Sequence, residues 1–135
     1  MPNLALKIHH PTSEILSFLE DIKYPWTTLS LDWLQRNAFM LRLENKEKTV
    51  GYLWFSQVPD CYKTYEISMA IHPDYQSRWM SRRLFKELYY VAQLLDIRLV
   101  LVCYKDSERL QKLSLFGFKI IEPFALLEIE YGKHF

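Results

Sequence analysis

Three arginines crowd one short stretch of this chain: Arg78, Arg82 and Arg83, all within HPDYQSRWMSRRLF. An apolar repeat at helical spacing runs through and beyond them, namely Met80, Leu84, Leu88, Val91 and Leu95. The start of a helix is the positive end of its dipole, where cations are mildly unfavourable and anions are stabilised. Its first backbone N–H groups also lack partners within the helix. Arginines ringing a strand, a short loop and a helix start therefore make a candidate anion site, with phosphate the leading anion. The plainer alternative is that the arginines point into water.

Several elements must position such a site. Thr64 to Ile71 alternates Tyr65, Ile67, Met69 and Ile71 against Glu66, Ser68 and Ala70, which predicts a strand. His72-Pro73-Asp74 ends it, since proline cannot donate to a sheet ladder. Ser77 is the expected N-cap of the helix that follows. Upstream, Leu4 to His9 reads as a strand, and Pro11 and Thr12 open a helix with Ile15, Leu16, Leu19 and Ile22 on one side. Ser30 can cap a short second helix. Ala38 to Leu43 and Thr49 to Val58 read as a hairpin around a charged turn, Glu44 to Lys48. Downstream, Ile97 to Tyr104 is almost wholly apolar, as suits a strand buried on both faces. A helix capped by Asp106 should end at Gly117, with strands at Phe118 to Glu122 and Ala125 to Tyr131. This order predicts an α/β fold in one domain, residues 1–135, with a mixed sheet of six to seven strands and about four helices.

Composition narrows the function. Half of the 135 residues are hydrophobic, enough for a real core, and a net charge of +1 gives no bulk electrostatic case for nucleic acid or an anionic membrane. No segment approaches the apolar length of a membrane helix, and MPNLALKIHHP does not read as a signal peptide. Cys61 and Cys103 lack metal-ligand spacing and read as free thiols, while His9, His10, His72 and His134 suggest no metal site. The expected location is the cytoplasm, or a particle assembled there.

The strand, then HPDYQSRWMS, then an amphipathic helix resembles the acetyl-CoA-binding core of the GNAT N-acetyltransferase superfamily. Its motif, Gln/Arg-x-x-Gly-x-Gly/Ala, falls on Gln76, Trp79 and Ser81, so the glutamine matches and both glycines are replaced. DSERLQKLSLFGF resembles the second motif, Asn-x-x-Ala-x-x-Leu-Tyr-x-x-x-Gly-Phe. Gly117 and Phe118 match there, Asp106 stands at the asparagine, Arg109 at the alanine and Leu113 at the tyrosine. The resemblance implies the GNAT fold over essentially the whole chain and acetyl-CoA as cofactor. Gln76, Ser77, Arg78, Met80 and Ser81 would hold the pyrophosphate, Met69, Ala70 and Ile71 would offer backbone to the pantetheine arm, and Asp106 would also serve the cofactor. The helices after the first strand would border the acceptor site, with Tyr24, Trp26 and Trp33 as candidate lining or plain core. Glu66 is the carboxylate available as general base, although Tyr65 occupies the family's usual register and Ser114 is a lesser hydroxyl candidate.

Three functions from different classes follow. The first is acetyl transfer from acetyl-CoA to an amine. The second keeps the fold without the chemistry, because Trp79, Asp106 and Leu113 are all altered, and gives a structural or interaction protein such as an internal virion component. The third is binding of a CoA-like ligand without turnover. A protein partner or homo-oligomer is expected from Trp26, Trp33, Tyr62 and Tyr65 at loops or strand ends, and from an open sheet edge at Ala125 to Tyr131.

Overall fold

A computed structural model describes residues 4–24, 29–76, 80–103, 113–121 and 124–131. In chain order it contains β1 (Leu4–His9), α1 (Ser13–Asp21), α2 (Leu31–Asn37), β2 (Ala38–Asn45), β3 (Lys48–Gln57) and β4 (Thr64–Ile71). A 3-10 turn at Pro73–Tyr75, α3 (Arg82–Leu94), β5 (Leu99–Cys103), β6 (Lys119–Ile121) and β7 (Phe124–Glu128) follow. A fourth helix, α4, is described over residues 113–115. The strands form one seven-stranded sheet in the order β1-β2-β3-β4-β5-β7-β6. β4 and β5 run parallel, while the β1–β2, β2–β3, β5–β7 and β6–β7 pairs are antiparallel. This is the mixed-sheet α/β architecture that the element order predicts.

The chain forms two compact units: Met1–Ser56 with Ser68–Ser81, and Gln57–Ile67 with Arg82–Phe135. In the first, α1 and α2 bury Ile15, Leu19 and Leu34 with Met40, Tyr52, Trp54 and Ala70. Each such aliphatic side chain contributes roughly 1.5–3 kcal/mol by leaving water. Ser30 caps α2 as expected, its Oγ accepting the Trp33 N–H at 3.0 Å. Leu16, expected on the buried side of α1, is exposed; the helix turns Ile15 and Leu19 inward instead. β2 turns into β3 through Lys46 and Glu47, with φ of 50° and 68°. Two successive left-handed residues give the turn whose twist matches paired strands. The turn is thus shorter than the charged run suggested, and Glu44 and Asn45 belong to β2.

The second unit packs Leu84, Phe85, Leu88, Tyr89 and Ala92 of α3 inward. Phe85 stacks on Phe116 with ring centroids 4.7 Å apart. Gly117 has φ of +96°, and the Gly117 and Phe118 N–H groups donate back to the carbonyls of Ser114 and Leu113. That is the left-handed helix stop expected of this glycine. Asp96 accepts from Lys63 Nζ at 2.5 Å and from the Tyr131 hydroxyl at 2.6 Å.

Two further expectations change. β7 lies between β5 and β6, so Ala125 to Tyr131 is no free edge; the sheet ends at β1 and β6. Helix α3 begins at Arg82, which leaves Met80 and Ser81 before it. The expected cap at Ser77, together with Trp26, Arg78, Trp79 and Asp106, lies outside the described residues.

Candidate functional site

β4 carries Glu66, Met69, Ala70 and Ile71, the strand residues among the candidates. Alternation puts Glu66, Ser68 and Ala70 on one face of the strand and Tyr65, Ile67, Met69 and Ile71 on the other. Ala70 is buried in the α1–α2 core, which fixes the even-numbered face toward that layer within the first unit. The β4–β5 ladder pairs Thr64 with Leu99, Tyr65 with Val100 and Glu66 with Leu101. Glu66 is half-buried at the last of these pairs.

Beyond Ile71 the chain is held at each step. The His72 N–H donates to the Val50 carbonyl at 2.8 Å, and His72 Nδ1 accepts the Asp74 N–H at 3.2 Å. The Tyr75 N–H returns to the His72 carbonyl at 2.8 Å. Gln76 Nε2 donates to the Ile71 carbonyl at 3.1 Å, folding its side chain back over the end of β4. Asn45 Nδ2 donates to the Tyr75 hydroxyl at 3.0 Å. Sequence reasoning missed Asn45 and Tyr75; the only signal was that HPDYQ lies between a strand and an arginine-rich helix start.

Met69, Ala70, Ile71, Gln76, Met80 and Ser81 are all in the first unit, on one continuous stretch of chain. Glu66 belongs to the second unit, as does Leu113, which is half-buried at the start of the described part of α4. Helix α3 has no acidic residue in its first turn. Arg83 pairs with Glu87 at 3.1 Å, while no ion pair is formed by Arg82 among the described residues. A crevice of about 280 Å³ beside that turn is lined by Arg82, Phe85, Lys86, Leu115 and Phe116. Two cationic side chains, Arg82 and Lys86, line this crevice, a chemistry that suits an anion. Among the described residues no group of three or more His, Cys, Asp or Glu side chains could hold a metal ion. No described helix is long and apolar enough to cross a membrane.

The strongest electrostatic cluster lies elsewhere, on β1 and β2. Glu44 is 3% exposed. Burial raises its pKa, but hydrogen bonds from Lys7, at 3.2 Å, and from Arg42 outweigh burial and hold the carboxyl below its ordinary value. His9 is held below the usual imidazole range by burial and then by Arg42. Tyr52, whose ring centroid is 5.5 Å from that of His9, has its phenol pushed up by burial. Perturbed groups often mark functional sites, but these are accounted for by an ion pair within a packed layer.

Comparison with known proteins identifies the class. The model of the acetyltransferase (GNAT) family matches residues 7–118, and the chain belongs to that family. A comparison with curated proteins finds no match. Among solved structures, the fold is similar to a GNAT-family acetyltransferase from Streptococcus pneumoniae, with a TM-score of 0.73 at 13% identity over 95% of this chain and 100% of that one. A GNAT-family acetyltransferase from Brucella melitensis, solved in complex with acetyl-CoA, gives 0.69 at 16% identity over 96% and 90%. A dodecameric spermidine N-acetyltransferase from Vibrio cholerae gives 0.66 at 12% identity, covering 93% of each chain.

Proposed function

We propose that this protein binds acetyl-CoA and transfers its acetyl group to an amine. The observation that carries the reading is the built connection after β4, where Gln76, the matching motif residue, locks onto the Ile71 carbonyl ahead of a helix start free of acidic residues. The Brucella relative, solved with acetyl-CoA, supports the cofactor. When bound, the cofactor supplies an activated thioester. The chain's own part is to hold the phosphates on backbone N–H groups, align the thioester along β4, and take a proton from the attacking amine at Glu66 Oε. Leu113 cannot protonate a leaving thiolate, so that proton must come from water or another group.

A second reading, binding without turnover, draws on the same position, Leu113, and on Trp79 in the motif. Incubating purified protein with acetyl-CoA and a panel of polyamines and lysine peptides, then measuring free CoA thiol, separates the two. Thiol release that depends on the amine supports transfer. Calorimetric binding without release supports the second reading, and neither signal removes both and leaves a structural or interaction role. Light scattering on the same sample tests assembly, proposed from exposed Trp33 and Tyr62; a strict monomer with no captured partner contradicts it.

A further inference from the structure

The segment from His72 to Gln76 is tied mostly to itself or to the adjoining strands by bonds in which at least one partner is a backbone group. One link is different. Asn45, at the end of β2 beside the Lys46-Glu47 turn, reaches across 30 positions of sequence to the Tyr75 hydroxyl at 3.0 Å. Among the described residues it is the one side-chain hydrogen bond from this segment to a distant strand. The position is part-buried, and Asn45 Oδ1 is buried with no hydrogen-bond partner among the described residues. A buried acceptor without a partner is costly, so the carboxamide is a poor choice there for packing alone. Its worth lies in the bond that it makes. Tyr75 completes the 3-10 turn directly before Gln76, so anchoring its ring limits the rotation of everything between Ile71 and Gln76.

We infer that Asn45 and Tyr75 are positioning residues, a strut from the β2–β3 turn that fixes the backbone leading into the phosphate-binding loop. The inference rests on the reading of this loop as the acetyl-CoA site. The loop's N–H groups must already be aimed when the phosphates arrive, because ordering them on binding costs affinity. The strut holds His72 to Gln76, the stretch that enters the loop, from the end of β2 before any ligand arrives.

The test uses the full chain as wild type, Tyr75→Phe, Asn45→Ala and the double variant. Acetyl-CoA affinity by calorimetry should fall about fivefold in each single variant, the loss of one modest hydrogen bond. It should fall no further in the double, since both changes remove one link. Amide hydrogen exchange at Gln76 to Ser81 should quicken by a similar factor without ligand, while exchange in α1 and β3 stays as in wild type. A merely structural role would lower the melting temperature and leave these two local readouts in line with the rest of the protein. Should Asn45→Ala fail to fold, Tyr75→Phe, which removes a single hydroxyl, decides the matter. If the wild type binds no acetyl-CoA, the proposed function falls, and the exchange arm alone judges the strut. Unchanged exchange at Gln76 to Ser81 in Tyr75→Phe, or fully additive losses in the double, overturns the inference.

Discussion

Two charge clusters of similar make-up sit in the two units. In the first, Glu44 lies between Lys7 and Arg42 at 3% exposure. In the second, Asp96 lies between Lys63 and the Tyr131 hydroxyl, with Arg98 5.7 Å from the Tyr131 ring. Both carboxyls are held below their ordinary pKa, Asp96 first by the Lys63 hydrogen bond and then by Tyr131. The same chemistry has different consequences because Asp96 stays 59% exposed. Water can replace a lost partner at Asp96 and cannot at Glu44. Burial, more than the number of ion pairs, decides which cluster holds the fold.

The largest expected effect attacks the buried side. Glu44→Gln leaves two cations facing a neutral group and should cost about 2–3 kcal/mol in chemical denaturation, below the ~3–5 of a fully buried pair because Lys7 and Arg42 keep some access to water. A cost indistinguishable from zero would erase the contrast.

The glycines sharpen it by separating space from backbone. A Cβ on Gly51 would sit 2.7 Å from Ile71 Cδ1 and 3.1 Å from the Ala70 carbonyl oxygen, so Gly51→Ala should destabilise by about 1–3 kcal/mol through overpacking. At Gly117 a Cβ meets nothing nearer than 3.9 Å among the described residues, but φ of +96° penalises any L side chain. Gly117→Val should therefore cost about 1–2 kcal/mol from backbone strain alone. An unchanged melting temperature in either variant contradicts the corresponding account.

Acid should reach the first unit in two stages. His9 has its folded pKa depressed, so the unfolded chain takes up a proton first as pH falls below about 6.5, and stability declines from there. Glu44 is depressed as well, so its contribution is present above about 4.3 and is lost as pH falls through the lower folded value. Melting scans from pH 7 to 3 should show both declines, and His9→Gln should remove only the upper one. The smallest effect belongs to Asp96→Asn, whose melting temperature at moderate salt should stay close to wild type. A large drop there would show that the exposed clamp carries structural weight.

Much of this fold could be read from the chain because its signals are local. Ser30 before a short apolar repeat caps α2, and Gly117 after Phe116 ends a helix with positive φ. Glu44 could not be read, since all five residues from Glu44 to Lys48 are charged or amide-bearing and look like a turn; only the folded pairing of β1 with β2 shows that Lys7 and Arg42 neutralise it. The position of β7 was hidden for the same reason. Strand order is set by distant pairing, and Phe124–Glu128 reads alike at an edge or in the interior. In the candidate site Gln76 was visible through its motif. Its bond to Ile71 and the Asn45–Tyr75 link were not, because no spacing rule connects positions joined only through the folded sheet.

β4 serves both units, and this has a consequence for synthesis. Ser68–Ser81 completes the first unit while Gln57–Ile67 opens the second, so the units interleave along the chain and no single cut yields either one whole. A ribosome that has passed Ser81 has supplied every residue of the first unit, while the second still awaits α3 and the strands β5 to β7. At roughly 5–20 residues per second that leaves an interval of seconds in which the α1–α2 layer can close first. During that interval Thr64 to Ile67 has β3 on one side only and an open edge where β5 will pair, and a nascent chain stalled there should be cut preferentially at that point by added protease.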